Sequence, residues 1–208
     1  TGIVDPLREI AEVAEKQGGI FTHADAAYGG PYRLSRIGHL FEGIERFNSI
    51  TLDPHKAFYT PYSTGAVLFK NAEEHARLAL GVKADYVQFN SDLPKLVEDF
   101  RTGKGNHGLK RIEGSMGAGP ILSTLAVLRI LGKDGLRAVY DFTLDRIHHL
   151  YERIKASSYL EPLHRPDLNL LCFTLKPKIM IKLDIKDNEK LGLFVNKCRV
   201  LLDRKTNG

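Results

Sequence analysis

The strongest constraint on the fold is an alternation in the first third of the chain. Short apolar runs at 20–24, 47–52 and 65–69 flank a helix-period stretch at 37–47. Runs this short, set apart by a helical period, read as strand, helix, strand, and that rhythm builds an α/β layered domain on a largely parallel sheet. Upstream, Asp5-Pro6 opens a helix, with Asp5 as N-cap and Pro6 at the first helical position. Leu7, Ile10, Ala11 and Ala14 then recur at helical spacing, and Gly18-Gly19 end the element.

Downstream the pattern weakens from about Ala84 to Arg111, where Phe100 to Gly108 is polar, glycine-rich and loop-like. Helices are expected from Pro120 to Leu131, stopped by Gly132, and from Leu136 to Ser157. In the tail, 168–175 and 179–183 read as strands and 189–202 as an amphipathic helix. The expected organisation is a larger domain over 1–157 and, over 158–208, the beginning of a small α+β domain that this sequence does not complete.

Composition narrows the function classes. A chain of 208 residues with 43% hydrophobic and 26% charged side chains buries an ordinary globular core. No apolar run reaches the roughly 20 residues that cross a bilayer, and Thr1 to Pro6 lacks the layout of a signal peptide. Cys172 and Cys198 form neither a disulfide framework nor a metal-ligand spacing, so no metal is expected and a reducing cytoplasm fits. The net charge of +5 is dispersed among acidic residues, with no basic run interleaved with aromatics; neither a nucleic-acid nor a membrane partner is expected.

Two segments carry chemistry: His23-Ala24-Asp25-Ala26-Ala27-Tyr28-Gly29-Gly30 and Ser49-Ile50-Thr51-Leu52-Asp53-Pro54-His55-Lys56. Each follows an expected strand and so lies at a carboxyl end, where open α/β sheets bind ligands. Two alanines and a glycine pair after Asp25 are poor core composition, but they let a flat ligand lie against the backbone. From residue types alone, a strand-end Asp and Lys more often form a solvated ion pair or a cap than a cofactor site, and His23 and His55 taken singly are more often structural than catalytic.

The flanking residues change that weighting. HADAAYGG followed by SITLDPHK resembles the paired signature of the group II pyridoxal-phosphate-dependent amino-acid decarboxylases, the family of the aromatic-amino-acid, tyrosine, glutamate and diaminobutyrate enzymes. Thr1 to Leu7, Gly65 to Lys70, Glu113-Gly114-Ser115 and Asn169 to Phe173 resemble further family landmarks in the same order, and the similarity runs over roughly residues 1 to 177. The resemblance implies the fold-type I (aspartate-aminotransferase-like) large domain with a mixed, mostly parallel sheet, and a homodimer for the full-length protein.

Residue by residue, the resemblance makes Lys56 the Schiff-base lysine and Asp25 the partner of the pyridinium nitrogen. Ala27 matches the small residue beneath the cofactor ring, His55 the histidine near the phosphate, and His23 the strand-end histidine. The implied cofactor is pyridoxal 5'-phosphate, and the implied reaction is release of CO₂ from an amino-acid substrate, leaving the amine. The chain departs from the family in three places. The stretch 87–110 contains no tyrosine to protonate Cα, with Tyr86 at its edge; His107 is the candidate donor, against a solvated loop histidine as the simpler alternative. Thr174 and Met116 stand where relatives often carry arginine, which leaves carboxylate recognition open. Family members are also considerably longer, so a fragment is expected. The competing readings are a carbon–carbon lyase or aldehyde-forming enzyme of the same fold, and a non-catalytic scaffold.

Overall fold

The structure, a computed structural model, describes residues 2–62, 64–73, 93–102 and 117–206. The chain divides into two compact units, Ile3–Leu144 and a second made of Asp145–Gly208 with Thr1–Gly2.

In the first unit, α1 (Leu7–Lys16) leads to β1 (His23–Asp25), then three 3₁₀ turns, β2 (Ser49–Leu52), the short α2 (Pro54–Ala57) and β3 (Ala66–Phe69). The sheet order is β1-β2-β3. β1 and β2 run parallel, with His23 opposite Ser49, Ala24 opposite Ile50 and Asp25 opposite Thr51. β3 returns antiparallel to β2, pairing Thr51 with Val67. The sheet is therefore mixed, with one pair of each kind among the described strands. The connection over 53–65 holds the four-residue α2 as its one helix among the described residues and brings the chain back beside β2 in the opposite direction.

Strand alternation places Ala24 and Ile50 on one face, where they meet Ala11, Phe47, Leu7 and Ile44 in a small apolar cluster. Helix α1 thus covers that face, and His23, Asp25, Ser49 and Thr51 share the other. The second core of this unit is aromatic. Tyr32 and Tyr140 are almost fully buried, with ring centroids 4.8 Å apart.

Three expectations need correction. Asp5 does not cap α1; Pro6 takes the N-cap position without a side-chain cap, and its carbonyl closes the first turn by accepting from the Ile10 N–H at 3.0 Å. The apolar pattern over 37–47 forms two 3₁₀ turns, Gly38–Phe41 and Ile44–Arg46, rather than one helix. Gly43 breaks it at φ +96°, where an added Cβ would meet the Arg8 Cα at 2.6 Å. The strand expected at 179–183 is a helix, Pro177–Lys182, entered from the extended Lys176 with Pro at its start. Proline suits a helix start because the N–H it lacks would have no intrahelical partner there, and the contiguous apolar run hid that signal.

Helix α3 covers Leu93–Arg101, and α4 runs over Gly119–Ala156 with a non-helical Gly132 (φ 59°, ψ −172°) at the expected stop. In the second unit β4 (Leu160–Pro162) pairs antiparallel with β5 (Phe173–Leu175), followed by α5 (Pro177–Lys182) and α6 (Asn188–Thr206). The Gly2 carbonyl accepts from the N–H groups of Asp167 and Leu168, both at 2.9 Å. Among the described residues no helix is long and apolar enough to cross a membrane, and no cluster of metal-ligating side chains occurs.

Candidate functional site

The site forms where β1 and β2 end side by side. Their parallel register continues past both strands, because the Asp53 N–H donates to the Ala27 carbonyl at 3.1 Å. The segments carrying Asp25-Ala26-Ala27 and Asp53-Pro54-His55-Lys56 are thereby held together at the carboxyl edge of the sheet. Pro54 at the first position of α2 turns the chain sharply there, and Lys56 emerges within one turn.

On the open face of β1, the His23 Nδ1 lies 2.7 Å from the Ser49 hydroxyl and its Nε2 lies 3.0 Å from the Thr51 hydroxyl. Both ring nitrogens are therefore engaged across the strand pair, which fixes the plane of the imidazole. The Asp25 carboxylate is exposed; one oxygen accepts from the Ala27 N–H at 3.2 Å, an Asx-type turn that aims the carboxylate beyond the strand end. Ala27 is half-buried directly after it.

His55 is fixed from a different side. Its Nδ1 lies 2.6 Å from the Thr64 carbonyl and 3.3 Å from the Thr64 backbone nitrogen, and its ring packs on Tyr62 with centroids 4.4 Å apart. The Lys56 Nζ pairs with Asp53 Oδ2 at 2.7 Å. That hydrogen bond holds the ammonium above its ordinary range; partial desolvation opposes it, and the charges of Asp53, Asp25 and Tyr62 add to it. His107 lies outside the described residues, as do Glu113-Gly114-Ser115 and Met116.

Five of the six residues singled out in the sequence, His23, Asp25, Ala27, His55 and Lys56, thus gather at adjoining strand ends. Sequence reasoning missed the residues that hold them: Ser49 and Thr51 on His23, Thr64 and Tyr62 on His55, and Asp53 on Lys56. For Ser49 and Thr51 a signal existed, since alternation in a strand puts both on one face. Thr64 and Tyr62 reach His55 through a loop whose path no local pattern encodes.

These donors fit pyridoxal phosphate. A carboxylate projecting past a strand end suits a protonated ring nitrogen, a primary amine on the neighbouring segment suits an aldehyde, and the alanine between leaves space for a flat ring. Comparison with known proteins points the same way. The family model for the pyridoxal-dependent decarboxylase conserved domain matches residues 1–176. The L-2,4-diaminobutyrate decarboxylase of Rhizobium meliloti (strain 1021) is 36% identical over 176 residues, covering 83% of this chain and 32% of that protein. The aspartate 1-decarboxylase of Aliivibrio fischeri is 30% identical over 178 residues, covering 85% of this chain and 30% of that protein. The chain thus spans about a third of the length of these relatives. Among solved structures, mouse CSAD superposes with a TM-score of 0.69 at 24% identity, over 97% of this chain and 40% of that one, and shows the same fold. From the strand-end site, the matched domain and the shared fold together, the chain belongs to the pyridoxal-dependent decarboxylase family.

Proposed function

We propose that the full polypeptide holding this chain binds pyridoxal 5'-phosphate and decarboxylates an L-amino acid to its amine and CO₂. The observation that carries this reading is the placement of Lys56 and Asp25 on adjoining segments, joined by the Asp53–Ala27 backbone bond at 3.1 Å. When bound, the cofactor supplies an electron sink for the pair left behind as CO₂ departs.

The chain's own residues do the rest. Lys56 is the amine that holds the cofactor covalently. Asp25, kept in place by the Ala27 N–H, keeps the ring nitrogen protonated and so maintains the sink. Ala27 gives the ring a flat seat, where a longer side chain would fill the space. His23, held by Ser49 and Thr51, sets the rim of that seat. His55, held at its Nδ1 by the Thr64 backbone, would serve the phosphate of the cofactor. His107 is the candidate that delivers a proton to Cα; full amine production by a His107→Ala enzyme would assign that step elsewhere.

The reading extends to a homodimer in the cytoplasm, with residues 158–208 opening a smaller C-terminal domain. Val13, Ile20 and Phe21 are exposed apolar side chains that the rest of the polypeptide or a second copy would cover. A monomer in sedimentation would contradict it. The functional reading itself is tested by supplying the cofactor-loaded full polypeptide with a panel of amino acids and measuring products. Equimolar amine and CO₂ support decarboxylation, whereas aldehyde, or no product from any amino acid, overturns it.

A further inference from the structure

Asp53 sits where a helix N-cap belongs, yet it does not cap. Its backbone is extended (φ −112°, ψ 96°) ahead of α2, and its side chain makes no cap hydrogen bond. An aspartate at this position ordinarily accepts from the free N–H groups of the first turn. Here the carboxylate is committed to the Lys56 Nζ at 2.7 Å, one turn along the same element.

The backbone of Asp53 is held at both ends. Its N–H donates to the Ala27 carbonyl at 3.1 Å, and its own carbonyl accepts the Lys56 N–H at 2.9 Å. On the far side Gly65 approaches, where a Cβ would lie 3.4 Å from Asp53 Oδ1, so the carboxylate is flanked by a residue without a side chain. The Asp53 side chain is 20% exposed and that of Lys56 39%. Among the described residues, the other ionisable groups around the pair are His55, whose Nε2 is 4.0 Å from Asp53 Oδ2, and Asp25 and Tyr62, which act on Lys56 through their charge.

We propose that Asp53 is a positioning residue that stores Lys56 as a paired ammonium before the cofactor arrives, and so sets the pH at which cofactor is taken up. The inference rests on the reading that Lys56 carries pyridoxal phosphate. Attachment requires the ammonium to leave Asp53 and release one proton to solvent. The neutral amine then attacks the aldehyde carbon, a C–N bond forms, and the carbonyl oxygen departs as water with the two remaining amine protons. No oxidant or reductant is needed. Asp53 favours the charged amine, so it delays this step to higher pH while aiming Nζ toward the strand end. The raised proton affinity of Lys56, with the Asp53 hydrogen bond as its largest cause, runs in the same direction.

The test uses the full polypeptide freed of cofactor, as wild type, Asp53→Asn and Asp53→Ala, compared at matched circular dichroism and unfolding midpoint. Competitive acetylation with limiting acetic anhydride, read at the Lys56 peptide by mass spectrometry across pH, reports the amine directly and needs no cofactor. The Lys56 midpoint is expected to fall by about one pH unit in both variants, the scale of losing one close opposite charge. Labelling below the midpoint then rises about tenfold. The rate of pyridoxal phosphate uptake, followed by visible absorbance, is expected to shift by the same amount. An unchanged or higher Lys56 midpoint overturns the inference. An acetylation shift without any pyridoxyl fixed to Lys56 overturns the proposed function, and with it the uptake half of this inference.

Discussion

His23 and Ser49 are cross-strand partners whose side chains also meet, with Nδ1 of the imidazole 2.7 Å from the serine hydroxyl. The bond ties β1 to β2 on the open face of the sheet, two residues before Asp25. Removing a partly buried side-chain hydrogen bond costs about 1 kcal/mol. Ser49→Ala is therefore expected to lower the unfolding free energy by about that amount in urea. His23→Ala is expected to weaken cofactor binding as well, because Thr51 loses its partner on the same face. Equilibrium unfolding and a cofactor titration separate the two effects.

Ala27 lies between the Asp25 carboxylate, to which it donates, and Asp53, from which its carbonyl accepts. Its methyl is half-buried but not packed in the apolar cluster under the sheet. Ala27→Leu is expected to weaken pyridoxal phosphate binding at least about tenfold, or about 1.4 kcal/mol. Its unfolding free energy should stay within about 1 kcal/mol of wild type, as for a change outside the core. Native cofactor affinity in the Ala27→Leu protein would remove Ala27 from the site.

The sheet and its strand-end chemistry were legible because their signals are local. The apolar runs at 47–52 and 65–69 marked β2 and β3, the run at 20–24 overlapped β1 only at His23-Ala24 and left Ile20 and Phe21 exposed outside it, and Asp-Pro-His-Lys marked the turn after β2. What stayed hidden depends on tertiary contact. The helix expected over 37–47 fails because Gly43 must pass against the Arg8 backbone in a left-handed conformation, which an apolar period does not encode. The strand expected over 179–183 became a helix because Pro177 starts one and Ile181 stays 80% exposed, so no sheet drew the segment in. The antiparallel direction of β3 stayed hidden because the apolar run at 65–69 looks the same in either direction. Asp53 escaped notice because its partner is Lys56 rather than the helix end beside it.

Gly43 supplies a prediction of its own. At φ +96°, with the Arg8 Cα 2.6 Å from the place a Cβ would occupy, any side chain is both strained and obstructed by backbone. Gly43→Ala is expected to cost about 2 kcal/mol or more, above the roughly 1 kcal/mol scale of a simple backbone effect. A thermal or urea unfolding midpoint equal to wild type would contradict this.

Tyr32 and Tyr140 meet at a tilt in the same buried cluster but differ at their hydroxyls. Tyr32 meets the Thr143 hydroxyl at 2.9 Å, whereas the Tyr140 hydroxyl has no hydrogen-bond partner among the described residues. Tyr32→Phe is expected to cost about 1 kcal/mol, and Tyr140→Phe to be neutral or stabilising. Burial pushes both phenols well above their ordinary range. Above pH about 10 the unfolded phenols ionise while the folded ones stay protonated, so the folded state then binds more protons and stability falls as pH rises. Urea unfolding of the double Phe variant should show a shallower alkaline loss than wild type. An identical slope would contradict the assignment.

The most direct measurement is borohydride reduction of the cofactor-bound full polypeptide, followed by peptide mapping. A pyridoxyl group fixed to Lys56, and lost in Lys56→Ala, is the predicted result. Label on another lysine, or no fixed label in a protein that holds cofactor, would contradict the assignment of Lys56 and the site built around it.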